Sequence, residues 1–258
     1  MVNNKWFVRP NPNPTADLRL ICFPYAGGSS TTYLSWVKEL PKNVELVIIQ
    51  TPGRGSRMCE VPYSDMDTLV GDLVKIIPQL LNKPYILFGH SLGSRVAFEL
   101  MSQLKMLNHP PPIHFIASGS RGPQYLSNNE PIYHLKDEEF INEIRGLNGT
   151  PPAVLDNKEL MDLFLPMLKA DFEIADKYCY NKNETFNCPI SVLGGEDDFD
   201  ITYSKLSGWG EHFTHDAEIH MFVGNHFFID SNKEGVLKKV NNIIALCLVG
   251  IISVITAS

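Results

Sequence analysis

A serine set between two glycines is the clearest chemical signal in the sequence. Ser91 stands at the centre of a G-x-S-x-G pattern over residues 89–93, after the apolar run 85–88 and before the helical pattern 95–100. A serine on a sharp strand-to-helix turn needs small neighbours, because its backbone is strained and the turn lifts the hydroxyl clear of the sheet. The pattern therefore predicts that Ser91 is a nucleophile on such a turn.

The serine needs partners elsewhere in the chain, because a hydroxyl is a weak nucleophile until a base, oriented by a third group, activates it. His226 follows a predicted strand and a Gly-Asn turn, and a carboxylate-rich turn precedes it in the chain. Asp197, Asp198 and Asp200 compete in that turn, where G-x-x-D spacing favours Asp198 and leaves Asp197 as the first alternative. The sequence thus predicts a triad of Ser91, Asp198 and His226.

Attack on a carbonyl also needs main-chain N–H donors for the negative oxygen that forms. One donor is expected at Leu92, where the helix after the nucleophile begins, and another in the loop that follows an early strand. That loop contains a proline and the pair Gly27-Gly28, which let its backbone approach the serine closely. We assign Ala26 and Leu92 as the oxyanion donors, with Tyr25 as the alternative to Ala26.

Such a triad requires no metal and no organic cofactor. His212, His215 and His220 fit no zinc-binding pattern, and His90 is expected to pack or bond locally. The five cysteines are scattered without a CxxC pair, which indicates a reducing compartment. Because the N-terminus shows no secretory signal, the sequence predicts a cytoplasmic protein.

Composition places the chain among ordinary globular proteins. It has 258 residues, of which 44% are hydrophobic and 20% charged. A formal net charge of -7 disfavours nucleic acid or an anionic membrane as the main partner. We expect a single domain over residues 1–258 and a monomer.

The elements that must position the triad and the oxyanion donors alternate between short strands and longer helices, which is typical of a mostly parallel sheet. The predicted strands are 18–23, 44–50, 85–88, 113–118, 190–194 and 218–223, and the clearest helices are 63–81, 92–104, 156–178 and the C-terminal segment. A helical insertion is predicted at about 122–185. Its flanking Gly and Pro residues suit a lid over the site, and the alternative is extra helices that enlarge the core.

The C-terminal segment from Val240 onward carries no charged residue. A membrane span needs about 20 apolar residues, and this run is close to that length. We expect residues 231–239 to begin a surface helix whose apolar continuation packs on the sheet. A membrane anchor or a membrane-surface contact is the alternative.

The triad and oxyanion residues, together with further motifs, resemble the type II thioesterase family. Its members are the stand-alone enzymes that accompany polyketide, nonribosomal-peptide and fatty-acid synthases. The motifs are residues 23–28, 50–57, 165–172, 194–198 with Trp209, and 224–228. The resemblance implies an α/β-hydrolase fold, in which a mostly parallel central sheet is flanked by helices and carries a flexible helical lid beside an acyl channel. It also implies that Ser91, Asp198 and His226 occupy the family's triad positions.

The resemblance further implies a reaction and a partner. The reaction is hydrolysis of acyl thioesters on the phosphopantetheine arm of an acyl or peptidyl carrier protein, which clears stalled or misprimed synthases or releases a fatty acid. Two departures from the family pattern are Asn225, where many relatives have glycine, and the apolar tail after Asn242.

Two other functions stay open at this point. A carboxylesterase or lipase would use the same triad on oxygen esters, and a non-catalytic protein would use the fold to bind a synthase. Arg54 and Arg57 could meet carrier phosphates or acidic helices through bidentate contacts, or could form structural salt bridges.

Overall fold

The structure, a computed structural model, describes residues 5–127, 129–147, 149–150 and 152–257, with side chains up to residue 253. Within these residues one seven-stranded sheet forms in the order β1-β3-β2-β4-β5-β6-β7. Neighbouring strands are parallel except β1, which pairs antiparallel with β3. The strands are β1 (Phe7–Val8), β2 (Leu18–Phe23), β3 (Val44–Ile49), β4 (Tyr85–His90), β5 (His114–Ser118), β6 (Ile190–Gly195) and β7 (Glu218–Phe222).

Burial on both faces explains why the strands read as continuous apolar runs rather than as alternating patterns. Every residue of β2, β3, β4 and β6 is buried. The predicted strands match β2 to β7 with ends that differ by at most two residues, and β4 continues past Phe88 to His90. Strand β1 was not predicted, because two half-buried residues at a sheet edge leave no apolar run.

Helices cover both faces of the sheet. They are α1 (Thr31–Leu34), α2 (Met66–Ile76), α3 (Leu92–Met106), α4 (Asp137–Gly146), α5 (Pro152–Leu155), α6 (Lys158–Lys177), α7 (Tyr203–Ser207), α8 (Phe228–Ser231) and α9 (Lys233–Ala257). The helix predicted at 63–81 is too long at both ends. Asp65 caps α2 by accepting the Thr68 N–H at 2.8 Å, and a 3₁₀ turn containing Pro78 follows Ile76.

Helices α4, α5 and α6 lie between β5 and β6, in the stretch predicted as an insertion, of which residues 128, 148 and 151 lie outside the described residues. They share an apolar cluster of their own, which includes Phe140 of α4, Leu155 of α5 and Leu165 of α6. Pro166 lies inside α6, and further along this helix Ile174 joins the core under the sheet. Helix α6 therefore belongs to the insertion at one end and to the main core at the other.

Helix α9 packs on the sheet through its first turns and presents an apolar face to solvent through its last ones. Its buried side chains, which share a cluster with β2, β3 and β4, are Val236, Leu237, Val240, Ile243 and Ile244. Beyond them Leu246, Val249 and Ile252 are 75%, 63% and 60% exposed. By length and composition alone Lys233–Ser253 could cross a membrane, although 28% of its most apolar window is buried in the protein. The expected packing on the sheet thus holds for only part of the apolar run.

Candidate active site

The turn between β4 and α3 has the strained geometry that the glycine pattern predicts. Ser91 adopts φ 54° and ψ −119°, a region that residues with a side chain rarely occupy. A Cβ atom at Gly93 would lie 2.1 Å from the Phe23 carbonyl oxygen, and one at Gly89 would lie 2.3 Å from the Ser94 nitrogen. The two glycines are therefore required by close backbone contacts on either side of the serine.

Neighbouring strand β5 holds this turn in place. The Ser91 N–H donates to the Ser118 carbonyl at 2.7 Å. The Ser94 hydroxyl oxygen lies 2.7 Å from the Gly89 carbonyl and accepts the Ser118 N–H at 3.1 Å. These bonds join the elbow to the end of β5, so the strained conformation of Ser91 is supported by main-chain contacts.

Three side chains meet above this edge of the sheet in one hydrogen-bonded chain. His226 Nε2 lies 2.9 Å from Ser91 Oγ, and His226 Nδ1 lies 2.6 Å from Asp198 Oδ2. Because a carboxylate oxygen can only accept, the proton is on Nδ1, and Nε2 is left free to accept from the serine hydroxyl. The arrangement can therefore take a proton from Ser91.

Asp198 is the only one of the three competing aspartates in this acidic turn that the structure places against His226. Its side chain is 4% exposed, and its second oxygen accepts the Ile201 N–H at 3.1 Å. Asp197 and Asp200 are exposed to solvent. The Asp197 N–H donates to the Gly224 carbonyl at 3.0 Å, which holds the loops after β6 and β7 together.

His90 has a structural link to this site that the sequence did not predict. Its Nε2 lies 3.0 Å from the His226 carbonyl oxygen, and its Nδ1 lies 2.9 Å from Ser118 Oγ. A carbonyl can only accept, so His90 donates from Nε2 and Nδ1 accepts from the Ser118 hydroxyl. Burial, together with the nearby His226, holds the pKa of His90 well below its usual value of 6.5 and keeps the ring neutral.

The loop after β2 lies beside the elbow, as the close approach of Gly93 to Phe23 shows. Leu92 is the first residue of α3, where a main-chain N–H has no partner within the helix. The ring of Tyr25, the alternative to Ala26, packs edge-on against His90 and Phe227. The structure therefore places the end of β2, the ring of Tyr25 and Leu92 beside the elbow, and the roles of Ala26 and Leu92 as donors stay a prediction.

A cavity of about 380 Å³ opens between this loop and the insertion. It reaches from Ala26 and Phe227, which adjoin the site, to apolar side chains of α4 and α6. The apolar side chains from the insertion are Ile144, Leu147, Val154, Met161, Phe164, Met167, Leu168 and Phe172. Its size and apolar wall suit a small hydrocarbon chain.

Two of the histidines considered for a metal site form hydrogen bonds with amide side chains of this protein. His212 Nε2 pairs with Gln124 Oε1 at 3.1 Å, and His215 Nε2 with Asn187 Oδ1 at 3.2 Å. Within the described ranges no group of three residues has the geometry of a metal site. Arg54 and Arg57 are 6% and 3% exposed and are engaged in internal bonds, which favours the salt-bridge interpretation over a surface contact with a carrier.

Asn225, which departs from the family pattern, causes no distortion at the histidine. Its side-chain oxygen accepts the Phe227 N–H at 2.9 Å, and its carbonyl accepts the Phe228 N–H at 3.0 Å. Gly224, with φ 127°, supplies the unusual backbone conformation in this turn. The turn therefore needs a glycine at 224 and accepts asparagine at 225.

A mostly parallel sheet in this strand order, with a serine on the turn after β4 and an aspartate and a histidine after β6 and β7, defines an α/β-hydrolase. Residues 18–244 match the family model described as a thioesterase domain. The chain therefore belongs to the type II thioesterase family, and it is an enzyme that hydrolyses thioesters.

Individual relatives are similar to this protein over almost the whole chain. It is similar to the gramicidin S biosynthesis protein GrsT of Aneurinibacillus migulanus, with 40% identity over 89% of this chain and 90% of that protein. Its structure is similar to that of ClbQ from the colibactin NRPS/PKS pathway, with TM-score 0.86 and 33% identity over 91% of this chain and 99% of ClbQ. BorB, a type II thioesterase from the borrelidin biosynthetic cluster, gives TM-score 0.85 and 31% identity over 96% of this chain and 99% of BorB.

Proposed function

We propose that this thioesterase uses Ser91, His226 and Asp198 to hydrolyse acyl groups from the phosphopantetheine arm of an acyl or peptidyl carrier protein. The observation that carries the proposal is the hydrogen-bonded chain from Ser91 through His226 to Asp198, with the serine on a strained turn. Relatives from gramicidin, colibactin and borrelidin biosynthesis support a synthase as the setting.

In the first half of the reaction Ser91 Oγ attacks the thioester carbonyl carbon while His226 Nε2 takes the hydroxyl proton. The tetrahedral oxygen receives the N–H groups of Ala26 and Leu92. The C–S bond then breaks, the sulfur departs with the bonding electrons, and His226 returns the proton to it. The products of this half are an acyl-serine and the free thiol of the carrier arm.

In the second half a water molecule attacks the acyl-serine. His226 now takes a proton from the water, and the collapse of the second tetrahedral intermediate returns that proton to Ser91 Oγ. Asp198 holds the imidazole with Nδ1 protonated and stabilises its positive charge in both halves. No metal or organic cofactor takes part in this scheme.

The cavity beside Ala26 is proposed to hold the acyl chain, and the insertion that forms its far wall is proposed to act as a lid. A cytoplasmic monomer remains our expectation for the protein as a whole. A carrier-bound thioester as the preferred substrate distinguishes this function from that of an esterase, which would prefer oxygen esters.

Hydrolysis of acyl-carrier, acyl-CoA and nitrophenyl-ester substrates by one preparation tests these alternatives. We expect turnover of the thioesters and its near-complete loss in Ser91→Ala, with circular dichroism unchanged. Unchanged thioester hydrolysis in Ser91→Ala would refute the assigned nucleophile. A marked preference for oxygen esters would support the esterase instead.

A further inference from the structure

Arg54 and Asp171 form a buried ion pair that joins three separate segments beside the active site. Arg54 follows β3, and Asp171 lies on α6, 117 residues further along the chain. Arg54 Nη1 and Nη2 donate to the two carboxylate oxygens of Asp171 at 2.8 and 2.7 Å. The two residues are 6% and 4% exposed, so the pair is shielded from solvent.

Both members of the pair also bond to the backbone of the loop after β2. The Gly27 N–H donates to Asp171 Oδ2 at 2.7 Å, and Arg54 Nη1 donates to the Gly28 carbonyl at 3.0 Å. Gly27 is the residue directly after Ala26, whose N–H is the proposed oxyanion donor. The loop is thus attached to the carboxylate through the N–H of Gly27 and to the guanidinium through the carbonyl of Gly28.

The left-handed backbone at this attachment favours glycine. Gly27 has φ 76°, and a Cβ atom there would lie 2.6 Å from Leu168 Cδ2 of α6. A further bond supports Arg54 itself, because Gln50 Nε2 donates to the Arg54 carbonyl at 2.7 Å. Gln50 Oε1 in turn accepts the Ser30 N–H at 3.0 Å, at the other end of the same loop. The loop is therefore held from both ends and against α6.

We propose that Arg54 and Asp171 are positioning residues, which set the position of the Ala26 N–H relative to Ser91 and so couple helix α6 of the insertion to the oxyanion site. The inference rests on the proposed function, because it assumes that Ala26 donates to the tetrahedral oxygen. A donor acts only when it is aimed at the place where charge develops, and a displacement of about 1 Å can cost about 10² in rate.

The test uses steady-state kinetics on two thioesters of one thiol, butanoyl and decanoyl N-acetylcysteamine. Asp171→Asn and Arg54→Gln should each lower kcat by about 10- to 100-fold on both substrates, with KM little changed. The double variant should fall no further than either single one, because both changes release the same loop. If Arg54 and Asp171 only formed part of the wall of the acyl cavity, their substitution would instead change KM for the decanoyl substrate alone.

Arg19→Gln is the matched control, because Arg19 and Glu45 form another buried ion pair, 2.7 Å long, away from the site. It should lower the melting temperature and leave kcat unchanged. If Asp171→Asn does not fold, Arg54→Lys tests the proposal, since it keeps the charge beside Asp171 but loses the bidentate fork. The kcat of Arg54→Lys should fall, although this variant should melt near the wild-type temperature.

Two results would overturn the positioning role. One is folded Arg54 and Asp171 variants with unchanged kcat, and the other is a loss of kcat in the double variant equal to the product of the two single losses. These outcomes differ from failure of the proposed function itself, which would show as a wild-type protein without thioesterase activity or as an active Ser91→Ala variant.

Discussion

The ring of His90 donates from Nε2 to the main-chain carbonyl of His226, 3.0 Å away, although the two residues are 136 positions apart. One histidine thus fixes the backbone of the other, and the fully buried ring has no access to substrate. On the opposite side of the ring, Ser118 of β5 donates to Nδ1. The base of the triad is therefore anchored to the sheet through a neutral imidazole.

Replacement of His90 by phenylalanine should impair catalysis without touching the triad. His90→Phe keeps an aromatic ring but leaves the His226 carbonyl and the Ser118 hydroxyl without their partner. We expect kcat to fall roughly 10-fold and the free energy of unfolding to fall by about 1–3 kcal/mol. Acyl-CoA turnover and urea unfolding measure the two effects.

His114→Phe is the control for this change, because His114 also pairs with a serine, Ser191, at 3.0 Å but lies at the far end of β5. It should lower stability and leave kcat unchanged. Equal kcat values for His90→Phe and wild type would show that the carbonyl contact has no catalytic consequence.

Asp198 and Asp197 offer a matched pair of carboxylates for the third member of the triad. Asp198→Asn presents an amide to His226 Nδ1 and favours the wrong tautomer, so kcat should fall by about 10² to 10⁴. Asp197→Asn changes an exposed side chain and should leave kcat unchanged. Thioester hydrolysis by the two purified variants decides the assignment, and the opposite ranking would transfer the role to Asp197.

Stability should fall as the pH is lowered, and His114 accounts for part of the change. Burial lowers the pKa of His114 to about 4. Glu218 opposes this shift by raising the pKa, and Lys239 adds to it by lowering the pKa. Between about pH 6.5 and this value the unfolded chain binds a proton that the folded chain does not. The contribution of His114 to the free energy of unfolding is therefore constant above about pH 6.5 and is lost progressively as the pH falls towards about 4.

Urea unfolding of wild type and His114→Phe at a series of pH values isolates this residue. The difference between their free energies of unfolding should change by at most about 1.4 kcal/mol per pH unit within the window. A difference that stays constant from pH 7 down to about pH 4 would mean that His114 titrates normally in the folded protein.

Helix α9 supplies a stability contrast between two residues of similar size. Ile244 is fully buried against the sheet, whereas Leu246 is 75% exposed. Ile244→Ala should lower the free energy of unfolding by about 2–5 kcal/mol, because it removes buried methyl groups and leaves a cavity. Leu246→Ala should change it by less than about 0.5 kcal/mol, and similar losses for both would mean that the outer face is covered.

Sequence patterns indicated the elements of the candidate site because each of the three residues follows a predicted strand, of which β4 and β6 are fully buried. Parallel strands bring their carboxyl ends to one edge of the sheet, so Ser91, Asp198 and His226 converge there once β4, β5, β6 and β7 pair in that order. The G-x-x-D spacing already favoured Asp198, and the geometry agrees with that choice, since of the three competing aspartates only Asp198 is buried.

Other features depend on partners too distant in the chain for a local pattern to indicate. The bond from His90 to His226 and the pair Arg54–Asp171 arise only after the sheet and the insertion are in place. Strand β1 is too short to have a period, and the predicted helix at 63–81 overran because its apolar pattern continues into a 3₁₀ turn. Along α9 the hydrophobic pattern could not indicate where contact with the sheet stops.

Pro166 gives helix α6 a natural pivot. Having no N–H, it cannot bond to the carbonyl one turn earlier, so the helix bends more easily there than at its other turns. The apolar cluster shared by α4, α5 and α6 spans this point, with Leu165 before it and Met167 and Leu168 after it, and Asp171 follows further along the helix. A bend at Pro166 would therefore repack that cluster and change the shape of the cavity, which residues on both sides of the proline line.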